Sequence, residues 1–461
     1  MVQLFSHWFS WNSVVRALLE SVLLILSVVL TVAFISPSTL REAVVGFPIL
    51  VVFALSVVTA NAALGLYQPS GIRTLSETAA RVVVSVLFAV IIGYLLFDRL
   101  PLRWAQHEVL EFAAIVAVVT HALMRAYSAR TRDRSEAFTS RVLVLGAGAE
   151  ASKVQESLCR RGSGCTVVGF YPASTSEVVS VPAEKLLDAN QSLINVARTN
   201  RVDRIVVAVG DRRGGVLPLN QLLDCKLAGI KVLDFSSYFE QVFGQVRVDS
   251  LRASWLIFGE GFRQGTVRTL VKRTFDIVAS SALLLLAAPV MLITALLITF
   301  ESGFPILYRQ ERVGQGGRIF QVIKFRSMRN DAERDGTPRW ATSNDSRVTR
   351  VGRTIRKLRI DELPQLFSVL KGDMSLVGPR PERPYFVEQL SEQVPFYGAR
   401  HSIKPGVTGW AQVRYAYGAS VEDSVQKLQY DLYYVKNHSL FLDLLIFVET
   451  VEVVLTGRGA Q

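Results

Sequence analysis

The sequence predicts a membrane α plus α/β protein: four transmembrane helices, a Rossmann-like parallel-sheet module, and a mostly helical monotopic domain with a re-entrant membrane helix. Three observations carry that expectation. Four apolar runs of spanning length come first, apolar strands alternate with helical stretches in the middle, and a later apolar run holding Pro289 lies between basic clusters. At roughly 150 residues per domain, 461 residues allow about three domains. The expected bounds are 1–135 for the spans, 136–250 for the middle module, 251–265 for a linker and 266–461 for the last domain, with the re-entrant helix at 269–301.

Half of the residues are hydrophobic (50%) and the net charge is +12, with a mean hydropathy of +0.31 and a pI near 9.7. A basic chain seeks nucleic acid, anionic lipid or phosphorylated substrates. Membrane segments favour lipid head groups and phosphates, and no nucleic acid partner is expected. Cys159, Cys165 and Cys225 have neither metal-type nor disulfide-framework spacing, which fits buried thiols in a reducing compartment. The first apolar run lacks a small-residue cleavage site, so no cleavable signal peptide is expected.

The four runs are Val14 to Ile35, Val44 to Leu66, Ala79 to Phe97 and Val109 to Tyr127. Each is near the roughly 20 residues that a bilayer-crossing helix needs. Arg125, Arg130, Arg132, Arg134 and Arg141 follow or end the fourth run, which places that end inside and makes the protein a multi-pass one of the bacterial inner membrane.

Next, Arg141 to Ala151 reads as strand, glycine turn and helix, followed by strands at 166–170, 204–209 and 230–234. Such alternation means a parallel sheet. Gly146-x-Gly148-x-x-Ala151 fits a dinucleotide fingerprint, but the second strand ends Gly169-Phe170-Tyr171-Pro172, with no acid to hold a ribose. A structural, regulatory or oligomerising module is the preferred reading, cofactor binding the alternative.

Ile277 to Phe300 could cross a bilayer by length. A fifth crossing would put the last domain outside, away from nucleotide-activated substrates and Mg²⁺. Arg268, Lys272 and Arg273 precede the run and Arg309 and Arg312 follow it, which fits both ends on the cytoplasmic face. Pro289 removes a backbone donor and crowds the preceding turn. The expectation is a helix-break-helix that enters one leaflet and returns, anchored at the membrane surface by Lys272, Arg273 and Asp276. The last apolar stretch, Leu440 to Leu455, carries Asp443, Glu449 and Glu452, so it reads as an interfacial amphipathic helix.

The chemistry centres on Asp361-Glu362. Arg353, Arg356, Lys357 and Arg359 precede this pair, and Lys371, Arg380 and Arg383 follow it. Carboxylates among cations suit Mg²⁺-dependent phosphoryl transfer; a solvated helix with ion pairs is the competing reading. Around the pair stand Lys272-Arg273…Asp276, Gln310-x-Arg312-x-Gly314, Lys324-Phe-Arg-Ser-Met328, Asp361-Glu-Leu-Pro-Gln365, Gly372-Asp-Met-Ser-Leu-Val-Gly-Pro-Arg-Pro381 and Lys404-Pro-Gly-x-Thr-Gly-Trp410.

On these motifs, about residues 266 to 461 resemble the bacterial sugar transferase family of polyprenyl-phosphate hexose-1-phosphate transferases, or monotopic phosphoglycosyl transferases. With the spans and middle module, the whole chain resembles the larger members, such as undecaprenyl-phosphate glucose or galactose phosphotransferases. The resemblance implies transfer of a hexose-1-phosphate from a UDP-sugar to undecaprenyl phosphate with release of UMP. That is the first membrane step of exopolysaccharide, capsule or O-antigen biosynthesis. It implies that Asp361 is the nucleophile, forming a phosphosugar-aspartyl intermediate, that Glu362 is its partner, and that Mg²⁺ is held at Asp361 and Glu362.

Arginine suits bidentate phosphate contact. Arg356, Arg380, Lys324 and Arg326 are therefore expected on substrate, with Pro379 in the turn that presents Arg380. Expected partners are the UDP-sugar, undecaprenyl phosphate, membrane lipid and a second copy in a homodimer. His401 and His438 read as structural. A nucleotide-sugar dehydratase or epimerase is disfavoured, because no tyrosine has lysine four residues later and no second glycine fingerprint opens a strand–helix unit. A non-catalytic polysaccharide-assembly scaffold is disfavoured by the intact acidic pair and its cations.

Overall fold

The computed structural model describes residues 2–4, 7–9, 11–35, 51–52, 54–58, 61, 91, 115–116, 119–120, 123, 140–161, 165–173, 178–210, 217–248, 265–329, 347–415, 418 and 420–456. The first expected span is helical: α1 runs Trp11–Ile35. On it Glu20 is buried and accepts a 3.1 Å hydrogen bond from Asn61. The other three expected spans, and Arg125, Arg130, Arg132 and Arg134, lie mostly or wholly outside the described residues. The chain divides into two units, Trp8–Val242 and Phe243–Gln461, which share the first seven residues between them.

The first unit holds a four-stranded parallel sheet. β1 (Ser140–Leu145), α2 (Ala149–Arg161), β2 (Cys165–Tyr171), α3 (Leu193–Thr199), β3 (Arg204–Val207), α4 (Leu219–Leu227), β4 (Lys231–Asp234) and α5 (Phe235–Phe243) follow one another. The strand order is β2-β1-β3-β4. Val142, Leu143, Val144 and Leu145 are all fully buried, as a strand covered on both faces requires. Gly146 has φ +118°, and a Cβ there would stand 2.3 Å from Ala208 O. The fold itself therefore demands this glycine, where β1 and β3 end side by side. The Tyr171 hydroxyl, at the end of β2, donates to Gln191 O at 2.8 Å.

The second unit is entered by α6, 37 residues from Thr266 to Ser302. Among the described residues it is the one helix long and apolar enough to cross a membrane. Pro289 lies inside it and does not interrupt it. Each half of the helix, before and after Pro289, packs on the unit. Phe275, Ala279, Leu283 and Leu284 pack on the main core. Met291, Ala295 and Ile298 pack with Phe325 and Ile355. Leu285, Leu286, Leu292, Ile293 and Phe300 stay exposed.

β5 (Leu307–Val313) and β6 (Ile319–Phe325) form an antiparallel hairpin. Two short helices, α7 (Arg350–Lys357) and α8 (Gln365–Lys371), flank a 3₁₀ turn at Ile360–Glu362. β7 (Ser375–Val377) pairs in parallel with β8 (Gly406–Thr408), and α9 (Pro384–Gln393) lies between them in sequence. α10 (Trp410–Arg414), α11 (Val421–Asn437) and α12 (Leu440–Thr456) close the unit. Leu366, Val369, Leu376, Trp410, Leu428, Tyr433, Leu442 and Ile446 are among the residues that build the main core.

The carboxylates of α12 point the other way from the interfacial expectation. Asp443 and Glu449 are buried, while Leu444 and Val451 are exposed. Asp443 meets Lys272 at 2.9 Å and the Tyr434 hydroxyl at 2.6 Å; Glu449 meets Arg414 at 2.5 Å. Cations from elsewhere in the unit explain acids inside an apolar helix.

Candidate active site

Local sequence places the acidic pair in a tight turn. α7 starts at Thr349, whose hydroxyl accepts from Gly352 N at 2.8 Å. Glu301, at the end of α6, also accepts from Arg350 N and Val351 N at 2.8 and 3.0 Å. Cations Arg356 and Lys357 fall in the last turn of α7, where the helix dipole favours them. Arg359 then takes a left-handed conformation (φ 58°), which turns the chain into the 3₁₀ segment. Pro364 follows, and α8 begins at Gln365. Asp361 and Glu362 end up buried, at 8% and 7% exposure.

Glu362 Oε1 receives Lys324 Nζ at 3.0 Å and the Arg380 guanidinium at 2.9 Å, with Arg359 at 3.9 Å. Lys324 comes from β6, opposite Tyr308 in the hairpin register. Arg380 comes from the turn after β7. Gly378 N donates to Thr408 O at 2.9 Å and Gly406 N to Pro379 O at 3.0 Å, which pins that turn to β8. Arg400 donates to Arg380 O at 2.8 Å and pairs with Asp431 at 2.7 Å.

No hydrogen bond or ion pair reaches the Asp361 carboxylate from any described residue. Burial, then the Glu362 charge, push its pKa up to about 6 against the pull of Lys324, Arg359 and Arg356. Burial alone would also raise Glu362, but Arg380, Lys324 and Arg359 outweigh it and hold that carboxyl well below its ordinary value. Environments that separate two neighbouring carboxyls give them different tasks. Glu362 is a fixed anion that holds cations; Asp361 is ionised at neutral pH with its oxygens open.

The structure brings Asp361, Glu362, Lys324 and Arg380 together, with Arg356 near enough to act on Asp361. Arg356 makes no ion pair among the described residues. Pro379 is buried and contributes its carbonyl to Gly406. Arg326 goes elsewhere: 5% exposed, it donates to Ser302 Oγ and Gly303 O at the end of α6. Arg273 donates to Val369 O and Leu370 O at 2.6 and 2.7 Å, the carbonyl end of α8. Lys272 bridges Asp276 and Asp443 at 2.8 and 2.9 Å, and Asp276 accepts from Leu376 N at 3.3 Å. These three residues fasten α6 to the second unit.

Sequence reasoning missed Arg400, and it named Arg359 and Arg312 only within the basic run and a motif, without a role for either. Arg312 donates to Pro381 O at 3.0 Å, supporting the turn that carries Arg380. The Gln310-x-Arg312 motif was the available signal, because alternate strand residues share a face. His438 is 7% exposed, and its ring Nδ1 lies 2.8 Å from Val435 O.

Among the described residues no group of three or more His, Cys, Asp or Glu lies together. The donor set therefore fits no all-protein metal cage. It does fit Mg²⁺ carried by a diphosphate, which needs only one or two carboxylates beside phosphate oxygens.

Fold and site define a membrane-associated, mixed helical and parallel-sheet protein with a buried Asp–Glu pair framed by cations. Residues 267–457 match the bacterial sugar transferase family. The chain is 46% identical over 240 residues to the UDP-N-acetylgalactosamine-undecaprenyl-phosphate N-acetylgalactosaminephosphotransferase of Aeromonas hydrophila, covering 52% of this chain and 56% of that protein. It is 44% identical over 196 residues to the undecaprenyl-phosphate glucose phosphotransferase of Komagataeibacter xylinus, covering 41% of this chain and 37% of that one. With the UDP-glucose:undecaprenyl-phosphate glucose-1-phosphate transferase of Xanthomonas campestris pv. campestris, identity is 34% over 333 residues, 69% of this chain and 67% of the relative. The chain thus spans about half, or less, of the first two relatives and two thirds of the third. It belongs to the bacterial sugar transferase family.

Two predictions follow from the electrostatics. Glu362→Gln, which leaves Lys324 and Arg380 without their anion, should cost about 3 kcal/mol of stability. Asp361→Asn should stabilise the native state at neutral pH, since it removes a buried charge that loses no partner and whose raised pKa marks it as unfavourable there; thermal unfolding of the two variants compares them. Burial, then Arg268, lower the His438 pKa to about 4. The unfolded chain takes up that proton near pH 6.5 and the native state refuses it. Stability should be full above about pH 6.5 and fall by about 3 kcal/mol as pH drops towards 4. Unfolding of the wild type and His438→Gln across that window checks the sign, and the variant should show the shallower fall.

Proposed function

We propose that the protein transfers a hexose-1-phosphate from a UDP-sugar to undecaprenyl phosphate and releases UMP. The observation that carries this reading is the wiring of the dyad, one carboxylate clamped by Lys324 and Arg380 and its neighbour unbonded. The names of the relatives supply the substrate class.

Asp361 attacks the β-phosphorus of the UDP-sugar. An Asp361 oxygen–phosphorus bond forms, the bond from that phosphorus to the bridging oxygen breaks, and UMP leaves with the oxygen. An oxygen of undecaprenyl phosphate then attacks the same phosphorus and restores the Asp361 carboxylate. Two half-reactions predict ping-pong kinetics. Glu362 fixes Lys324 and Arg380 beside the reacting phosphate, and Arg356 and Arg359 add charge on the Asp361 side. Asp361, with Glu362 behind it, would hold Mg²⁺ together with the diphosphate. Bound there, the ion supplies neutralisation of the charge that develops on departing UMP.

Lys272, Arg273 and Asp276 keep α6 seated as a re-entrant membrane helix with both ends on the cytoplasmic face of the inner membrane. The support is that its beginning and its end are fastened to one unit, by Arg273 to α8 and by Glu301 to α7. The Rossmann-like module serves structure or homodimer assembly, since packing against Ala208 already accounts for Gly146.

Purified protein given undecaprenyl phosphate, Mg²⁺ and a panel of UDP-sugars should release UMP with at least one of them. Asp361→Asn should reduce that release to background, and normal turnover by the variant would remove Asp361 as nucleophile. A cysteine placed at Ser302 should resist impermeant thiol reagents in intact cells; ready external labelling would sink the re-entrant arrangement.

A further inference from the structure

The segment just after α5 is built into the second unit. Gly244 O accepts a buried 2.8 Å hydrogen bond from Trp410 Nε1. Val246 N donates to Gln429 O of α11 at 2.9 Å. Val246 and Val248 are 1% and 7% exposed and belong to the main core. Gly244 has φ +61°, and a Cβ there would stand 2.9 Å from the indole. Its left-handed backbone and missing side chain are both needed for the chain to pass that close. The family match begins at residue 267, so this stretch lies outside it.

Trp410 is held on every side. Its ring stacks on Tyr433 at 5.9 Å, and Arg414 lies 4.2 Å above it. Directly before it, Gly409 abuts the Arg380 turn: a Cβ on Gly409 would stand 2.2 Å from Gly378 O. Gly378 N bonds Thr408 O, one residue earlier still. Two residues beyond Gly378, Arg380 reaches Glu362 at 2.9 Å. Backbone contacts this tight transmit displacement, because a packed interior cannot absorb it.

We propose that residues 244–248 are a positioning strap for the active site. By fixing Trp410, the strap sets the Gly409–Gly378 contact and so the reach of Arg380 to Glu362. Gly244 and Trp410 are positioning residues that touch no substrate. This rests on the transfer reading of the site only for its kinetic consequence.

The test uses the full chain and two variants. Gly244→Ala pushes on the indole from the strap side, and Trp410→Phe removes the hydrogen bond while keeping a ring on Tyr433. Hydrogen exchange is followed in peptides covering 376–381 and 404–409, with the β5–β6 hairpin as reference. Both variants should exchange about tenfold faster in those two peptides and unchanged in the hairpin. Turnover of the UDP-sugar should fall about tenfold in kcat, with KM within about twofold. In an Arg380→Ala background the same substitutions should have no further effect, since the group they position is gone. Unchanged exchange, equal acceleration in the hairpin, or an undiminished kcat effect without Arg380 would each overturn the strap. If the wild type releases no UMP from any UDP-sugar, the transfer reading fails while the exchange measurement still decides the strap.

Discussion

A buried carboxylate is stabilised where cations meet it, and at Glu362 the second unit brings several to one side chain. Removing such a group from water costs several kcal/mol. Lys324 and Arg380, at 3.0 and 2.9 Å, offset it. The two cations come from different parts of the fold, a hairpin strand and a strand-to-helix turn. One carboxylate therefore ties the β5–β6 hairpin, the α7–α8 turn and the β7–β8 pair into a single site. Much of the surrounding detail serves that convergence. The left-handed Arg359 swings the acids inward, Arg312 supports the turn of Arg380 through Pro381, and Arg400 fixes the Arg380 carbonyl.

The same wiring explains why adjacent acids differ. Cations that bond Glu362 act on Asp361 only at longer range, so burial and the Glu362 charge dominate there. A carboxyl with a pKa about 6 is ionised at neutral pH yet keeps unbonded oxygens, the state a covalent nucleophile needs. Successive residues of a 3₁₀ turn point about 120° apart, which directs one side chain to the cations and leaves the other out of their reach.

Local chemistry was legible in the sequence. Apolar runs such as Val142 to Leu145, alternating with helical stretches, signalled a parallel sheet, and these residues lie in one, fully buried. The Asp-Glu pair stood out because its cations were close in sequence or lay within long motifs. Distant pairings were not legible. Arg326 looked like a phosphate ligand beside Lys324, yet it closes the end of α6. Asp443 made its helix read as interfacial and amphipathic, yet Lys272 reaches it from far upstream. Periodicity records which face a residue occupies, not which cation another element brings to it.

The placement of α6 bears directly on how the acidic turn is held. Glu301, near its end, caps the start of α7, and Arg273, near its beginning, caps the end of α8. The acidic turn lies between those two helices in sequence. The helix with an exposed apolar face thus holds the far ends of the two elements that carry the dyad. The Glu301 and Arg273 side chains tie α6 to those two helices through four hydrogen bonds with their backbone. The unbonded carboxylate of Asp361 is thereby carried on a turn braced on both sides by one apolar helix.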